Sequence, residues 1–584
     1  MTARALTLLA FAAFNLGAAE SPIHASFTPT RAAGVAPLAV FFDATATSAP
    51  ASTALPFHEL HYAWDFGDPA GGARWESTGA SKNAAFGPMA AHVFEGPGTY
   101  VVTLTVRHGA SQATARHEIV VRDPQAFYLA AQTTCLANAA APDWSGCPPG
   151  ATQIAHSQDF GAAVRAHLGP HRRLLFRRGD TWSASAATLN VNGPWTIGAF
   201  GAGPKPKVRY ASGQAMLLVG EPGATRNDGR VMDLQFDGFG AVAARCMSGE
   251  GTFNNLLLLR LDCADAGHGI QLDALNARPV SVWSGVAIVD THVSRIHGPG
   301  GNAYFVTGEK FAVLGSSGSD SRGAGEHIFR SMYLRKAVLA DNMFARPNAT
   351  KHSLALRAPN WTTTYGNAIP ARTQTEFVLI SGNRLVGGPG VAFELEVATS
   401  DGNDERVRNL IVERNWFVSG AGGFAAAWIN TSASSYRNNI FDMSASAARA
   451  NNCILFDRVP AGRPPPQANW IYHNTCYSSA AAENFRGVVI TAGTLDTIVK
   501  NNLAYGPNAR NTYVVADQGS NTHQAGNSPD AKTEPHFAAQ PPRAPADFKP
   551  TRGYALGGAT LVPVWADFLG APYGARRDIG ALGH

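Results

Sequence analysis

The phrase Leu339-Ala340-Asp341-Asn342-Met343-Phe344 returns, varied, as Ile380-Ser381-Gly382-Asn383-Arg384-Leu385, Val412-Glu413-Arg414-Asn415-Trp416-Phe417, Tyr436-Arg437-Asn438-Asn439-Ile440-Phe441, Tyr472-His473-Asn474-Thr475-Cys476-Tyr477 and Val499-Lys500-Asn501-Asn502-Leu503-Ala504. The shared Asn positions are 41, 32, 24, 35 and 28 residues apart, the irregular period of a solenoid. The phrases are β-rich and bounded by Gly, so a helix does not explain them. A turn Asn followed by an apolar residue, once per coil, suits a parallel β-helix in which the Asn side chains stack in an internal ladder. These Asn residues are therefore read as structural.

A second strand follows each Asn: His352–Arg357, Val391–Val397, Phe424–Trp428, Cys453–Asp457 and Val488–Ile490. Upstream, Gly269–Asp273, Ala303–Thr307 and Glu326–Arg330 fit the same stack. The length of 584 residues alone suggests about four domains, but the repeat assigns most of it, residues 125–584, to one solenoid. Its coil turns account for the 60 Gly and 36 Pro. Only 15% of residues are charged and 45% are hydrophobic, which excludes disorder, collagen and coiled coil. A net charge of +5 is too dilute for a nucleic-acid protein.

Residues 22–123 alternate apolar and polar positions in short runs separated by Gly, Pro and Ser, the pattern of a small Ig-like β-sandwich. Within it, Tyr62-Ala63-Trp64-Asp65-Phe66-Gly67-Asp68 and the run from His92 to Val106 resemble the two signature strands of the PKD domain. That resemblance implies a module attached to an extracellular enzyme. Trp64 lies inside an alternating strand and is expected in the core. Residues 1–19, with Arg4, an apolar stretch and Gly17-Ala18-Ala19, have the layout of a signal peptide, so a secreted or periplasmic protein is expected. In that oxidising compartment the six cysteines suggest local pairs, Cys135 with Cys147, Cys246 with Cys263, and Cys453 with Cys476. No segment is long and apolar enough to cross a membrane as a helix.

The body resembles the pectate-lyase-like right-handed parallel β-helix superfamily. Leu175–Trp182 with Gly198–Gly203 looks like its N-terminal entry and Arg577-Asp578-Ile579-Gly580-Ala581 like its last strand. The expected fold is thus all-β, a right-handed parallel β-helix preceded by a small sandwich.

Strand alternation places Leu354, Leu356, Phe393 and Leu395 inside the coil and Arg357, Glu394 and Glu396 outside. It lines up Asp273, Thr307, Arg330, Arg357, Glu396 and Asp457 as one outward column. Arg335, Lys336, Arg346, Lys351, His352 and Arg372 concentrate positive charge nearby, so a polyanion is the expected ligand. The run Glu326-His327-Ile328-Phe329-Arg330-Ser331, then Asn342, then Leu354-Ala355-Leu356-Arg357, is similar to polysaccharide lyase family 6, the alginate lyase and chondroitinase B group. That group reads Glu-x-Ile-x-Lys-Ser, Asn, Leu-x-Leu-Arg-His. The resemblance implies β-elimination on a uronate polysaccharide, with Arg330 in the base position, Arg357 as the catalytic arginine and Glu326 near a calcium site, Ca²⁺ being the implied cofactor.

Arg330 replaces the family's lysine and Ala358 its histidine. Because an arginine is not a neutral base at ordinary pH, Lys351 or His352 is the substitute. The candidate set is Arg330, Lys351, His352 and Arg357 for catalysis, Arg335, Lys336, Arg346 and Arg372 for substrate, and Glu326, Glu394 and Glu396 for calcium. The partner is an acidic polysaccharide, with no nucleic acid or membrane, and the protein is expected to be a monomer. One alternative is a glycoside hydrolase built on Gly267-His268-Gly269 with Asp262 and Asp265. Another is a non-catalytic carbohydrate-binding solenoid, with Trp361, Tyr365 and Trp428 as sugar platforms; Trp416, next to the ladder, is expected in the core.

Overall fold

The computed structural model describes residues 23–583 except 50–52, 54, 70–72, 140–141, 156–158, 187, 222, 273–281, 359–373, 391–392, 400–406, 458–463 and 575. The expected signal peptide and Asp273, Trp361, Tyr365 and Arg372 lie outside the described residues. Three long parallel sheets form the body. Sheet A has 16 strands, among them Leu334–Ala340 and Thr375–Ser381; sheets B and C have 12 each, among them Met343–Ala345 and Leu354–Ala358. The chain visits A, B and C in turn and then begins the next coil, each strand pairing in parallel with its equivalent one coil on. This is a right-handed parallel β-helix.

The corner between sheets A and B explains the recurring phrase. The residue before each ladder Asn takes a left-handed backbone: Asp341 (φ 57), Gly382 (φ 69), Arg414 (φ 54), Asn438 (φ 52), His473 (φ 51) and Asn501 (φ 61). Gly, Asn and Asp adopt it readily, whereas at Arg414 and His473 it costs on the order of 1 kcal/mol. The Asn side chain then turns into the coil. The Asn383 Nδ2 donates to Asn415 Oδ1 at 2.9 Å and to the Leu339 carbonyl at 2.8 Å, while its Oδ1 accepts from the Asn342 backbone N–H and Nδ2. The same pattern links Asn415, Asn439, Asn474 and Asn502. It continues to Asn527, and upstream Ser316 and Thr291 take over the position. No buried amide in this column lacks a partner, which offsets the desolvation of a polar stack.

Leu354, Leu356, Leu395 and Val397 face the coil interior, which is one continuous apolar core. The short helix Phe160–His167, capped by Asp159, closes the N-terminal end with Phe160, Ala163 and Val164. The last residues differ from expectation: Arg577–Ala581 form no strand. Ile579 and Ala581 instead pack irregularly outside the coils against Ile440, Tyr477 and Leu503.

The N-terminal sandwich pairs a three-stranded with a five-stranded sheet. Trp64 is in its core, donating from Nε1 to the Gly87 carbonyl at 2.8 Å. The strand Leu38–Asp43 is buried on both faces: Val40 and Phe42 enter the sandwich, while Ala39 and Phe41 pack on Leu257, Leu259, Val289, Leu314 and Leu379 of the outer face of sheet A. The ion pairs Arg31–Asp228, Lys82–Asp290 and Lys336–Asp43, each 2.6 Å, rim this contact. Arg230, fully buried, donates to the Pro37 and Val35 carbonyls at 2.8 and 3.0 Å. The sandwich is thus docked on the solenoid by a flat apolar face.

Cys135–Cys147 and Cys246–Cys263 are disulfides. The expected Cys453–Cys476 bond is absent: both are buried free thiols in the coil interior, held together by packing and a thiol hydrogen bond. Burial pushes the Cys453 thiol well above its usual range. Among the described residues no helix is long and apolar enough to cross a membrane.

Candidate active site

The outer face of sheet C carries the candidate site. Its register runs Gln271, Phe305, Arg330, Ala355, Glu396, Trp428, Leu455 and Val489, one residue per coil. Arg330 and Glu396 therefore share a column as expected, but Arg357 does not. It lies one outward position further along the strand, opposite Ala398, and reaches back across the sheet. There its Nε is 3.1 Å from Glu396 Oε2, and its Nη2 is 2.5 and 2.6 Å from the two carboxylate oxygens. Glu396 is 2% exposed, so this charge is neutralised almost without water.

A stack forms the corner leading into sheet C. The His327 and His352 rings lie 4.9 Å apart at 28°, and His352 and Phe393 lie 5.1 Å apart at 15°. Phe393 stacks in turn on Trp428 at 5.2 Å. Backbone donors fix both histidines: the His352 N–H points at His327 Nδ1, and the Phe393 N–H at His352 Nδ1, each at 3.0 Å. A backbone N–H only donates, so each Nδ1 carries a lone pair and each neutral ring holds its proton on Nε2. Burial lowers His327 well below the usual histidine range, with the positive charges of Arg330, Arg357 and Lys351 adding to it. Burial also lowers His352 to about 4 against the opposing pull of Glu396, whose Oε2 lies 3.5 Å from its Nε2. At neutral pH this contact is with a neutral imidazole. His352 is thus a donor at Nε2, and its only basic nitrogen is sealed.

The expected catalytic residues Arg330, Lys351, His352 and Arg357 do gather around His327. The Arg330 guanidinium lies over the Phe305 ring at 5.3 Å with its buried Nε unpartnered. Lys351 Nζ is 2.7 Å from Glu326 Oε2.

The other expected residues do not join them. Arg335 and Lys336 sit on sheet A, paired with Glu376 at 3.0 Å and with Asp43 of the sandwich at 2.6 Å. Lys336 is turned to the domain contact, and Arg335 pairs within sheet A. Arg346, beyond sheet B, holds Asp320 bidentately.

The calcium set also fails to converge. Glu326 is taken by Lys351 and Glu396 by Arg357, while Glu394 is fully buried, its Oε1 accepting from the Gly420 N–H at 3.1 Å. The chain bends before Leu395, so Glu394 turns inward and Phe393 outward, the reverse of the expected alternation. Burial raises the Glu394 carboxyl well above the usual range, which keeps it uncharged and a poor ligand for a hard cation. These three residues do not fit a calcium ion. Among the described residues no three His, Cys, Asp or Glu side chains form a metal cluster.

The hydrolase residues disperse too: Asp265 is gripped by Arg295 through two 2.7 Å contacts, and Asp262 pairs with Lys205 at 2.9 Å on sheet B. Trp416 is not in the core. It lies on the outer face of sheet B with Arg384 stacked over it at 4.6 Å. The His327, His352, Phe393 stack was missed, although its spacings of 25 and 41 residues match coil lengths.

Residues 27–121 match the family model of the PKD domain. No curated protein matches the chain in sequence. Among solved structures the chain is similar to the Dettilon tailspike protein, at 12% identity over 59% of this chain and 62% of that one, with a TM-score of 0.38. It is similar to a Yersinia enterocolitica family 28 exopolygalacturonase, at 9% identity over 88% and 100% of the two chains, TM-score 0.38. A third is a mannuronic-acid-specific polysaccharide family 6 lyase from human gut microbiota, at 12% identity over 62% and 87%, TM-score 0.30. The chain spans less than two thirds of the tailspike's length. The family match and the three parallel sheets define the class: a PKD domain followed by a right-handed parallel β-helix.

Proposed function

We propose that this is an extracellular polysaccharide lyase that cleaves a uronate-containing polysaccharide by β-elimination. The observation that carries the reading is the gathering of Arg330, Lys351 and Arg357 around two neutral histidines on the outer face of sheet C, where both nearby carboxylates are already paired. Such a site attracts an anionic sugar and stabilises the charge that develops when the proton α to its carboxylate leaves. Arg330, without a carboxylate partner among the described residues, binds the uronate, and Arg357, held rigid by Glu396, steadies the developing dianion. Lys351 passes its proton to Glu326, 2.7 Å away, and as the amine so formed takes the C5 proton. The C5–H electrons form the C4–C5 double bond, and the C4–O bond breaks. The departing oxygen takes a proton from water or from the ammonium just formed. The tautomer of His352 removes it as the base and leaves Lys351.

The test is ultraviolet absorbance of the unsaturated uronyl product on alginate, pectate, glucuronan and glycosaminoglycans, with and without chelator. New reducing ends without absorbance would mean hydrolysis. Binding without either product would mean a display protein.

A further inference from the structure

On the opposite side of the solenoid from sheet C, the sandwich, the A–B corner and the C-terminal segment enclose a cavity of about 600 Å³. Its walls are Trp75, Phe86, Leu314 and Leu379, and exposed Leu569 stands at its rim. Arg384 lies on its floor, spread over the Trp416 ring at 4.6 Å. Among the described residues nothing accepts a hydrogen bond from this guanidinium: its Nε and the Trp416 Nε1 are both buried without a partner. The adjacent Arg414 differs, being held by Ser381 and Glu413 and stacked on Phe86.

A buried donor without a partner is costly; in Arg384, half-buried as a whole, it is the Nε that is so placed. Elsewhere along the domain contact Arg31, Arg230, Arg260 and Arg437 each bond a carboxylate or carbonyl, although one Nη of Arg230 is also buried without a partner. Arg384 alone among these has an aromatic ring beneath it and empty volume above. The two orphan atoms are donors, and the walls are largely apolar, with Lys82, Arg414 and the Asp341 carboxyl, which accepts from Thr78 at 2.7 Å, among the polar groups that line them. The complementary ligand therefore has an acceptor-only anionic head on a body with an apolar face. A carboxylate fits the fork of a guanidinium in two parallel hydrogen bonds, and a ring packs on Trp75 and Leu379.

We propose that this cavity is a second binding site, distinct from the sheet C cluster, for a carboxylate-bearing ring compound whose carboxylate pairs with Arg384. Two sources share this chemistry: the uronate residue of an oligosaccharide and a free aromatic carboxylate. The site does not depend on the lyase reading. Because its walls come from both domains and the C-terminal segment, a bound ligand clamps the domain contact.

Isothermal titration on the full chain, with a galacturonate trisaccharide, benzoate and a neutral trisaccharide as probes, tests the proposal. In an Arg357→Ala background, which disables the sheet C cluster, one of the two carboxylates is expected to bind and raise the melting temperature, and the neutral sugar is not. Adding Arg384→Met, which keeps the stack on Trp416, should weaken binding at least tenfold and abolish the melting shift. Ala340→Phe, which fills the cavity and leaves the charge, should do the same. Trisaccharide binding alone would identify a polymer-holding site; benzoate binding alone, a small-molecule site. No binding of either carboxylate, or equal binding to wild type and Arg384→Met, overturns the proposal. If both cavity variants unfold, a crystal soak of the wild-type chain decides it, and density confined to sheet C refutes the site.

Discussion

Replacing His352 by Asn and, separately, by Gln divides what this ring does for the fold from what it does for the reaction. Asn places its Oδ1 near the position of Nδ1 and keeps the acceptor for the Phe393 N–H, now at 3.0 Å, but has nothing at Nε2. Gln reaches the Nε2 position and leaves that N–H without its acceptor. Both lose two ring contacts, 4.9 Å to His327 and 5.1 Å to Phe393, each worth about 0.5–1.5 kcal/mol. His352→Asn should therefore destabilise by about 1–3 kcal/mol. His352→Gln should cost a further 1–3 kcal/mol or so for the orphaned buried amide. Urea unfolding measures both. Because His352 Nδ1 is sealed and Nε2 is already protonated, neither variant removes a base. His352→Asn should keep cleavage within about tenfold of wild type, whereas Lys351→Met should lose about 10²–10⁴-fold, the range for a general base. The assay is the initial rate of unsaturated-product absorbance on the polymer that the wild type cleaves. A folded His352→Asn protein that loses more than a hundredfold, with loss of the acid limb of its pH profile, would refute the tautomer argument.

Arg357→Ala leaves Glu396 buried with only a neutral imidazole beside it. A loss of about 3–5 kcal/mol is expected, along with more than a hundredfold loss of activity. Adding Glu396→Gln should restore stability but not rate, and wild-type activity in Arg357→Ala would sink the site assignment. Asn415→Ala removes one rung of the ladder, orphaning the Asn383 N–H and the Ile380 carbonyl. It should cost about 2–6 kcal/mol in denaturant melts with the catalytic cluster otherwise intact; a change under 1 kcal/mol or so would contradict the ladder's energetic role. Acid should also unfold the protein early. Burial holds His352 near 4 and His58 and His473 near 3, while in the unfolded chain each titrates near 6.5. The unfolded state then binds more protons between those values, so stability drops as pH falls from about 6.5 towards 4, by about 3 kcal/mol per such histidine at most. Glu394 and Asp341, both raised by burial, act with the opposite sign, and melting temperatures flat from neutral pH to pH of about 4 would contradict the balance.

The architecture was legible because it is periodic. A ladder Asn once per coil is a local signal repeated six times, four of them preceded by a residue suited to a left-handed backbone (Asp341, Gly382, Asn438 and Asn501), and each coil repeats the same register. The shared column of Arg330 and Glu396 followed from that register too, whereas Arg357, expected in it, lies opposite Ala398. What alternation did not reveal was decided by departures from it. The bend before Leu395 reverses Phe393 and Glu394, which turns an expected calcium ligand into a buried, uncharged acid. Likewise Lys336 is an ordinary outward charge in sequence, and only the docking of the sandwich on sheet A makes it part of a domain contact.

Sequence by itself determined the β-helix, the sandwich and the neighbourhood of the cationic cluster, because these depend on which residues recur at which spacing. Tertiary structure alone decided which cations stay uncommitted and which nitrogen of His352 is available. It also decided that Cys453 and Cys476 stay thiols and that a cavity with an unpartnered arginine lies between the domains. Those outcomes depend on partners far apart in the chain, brought together by packing rather than by any local preference.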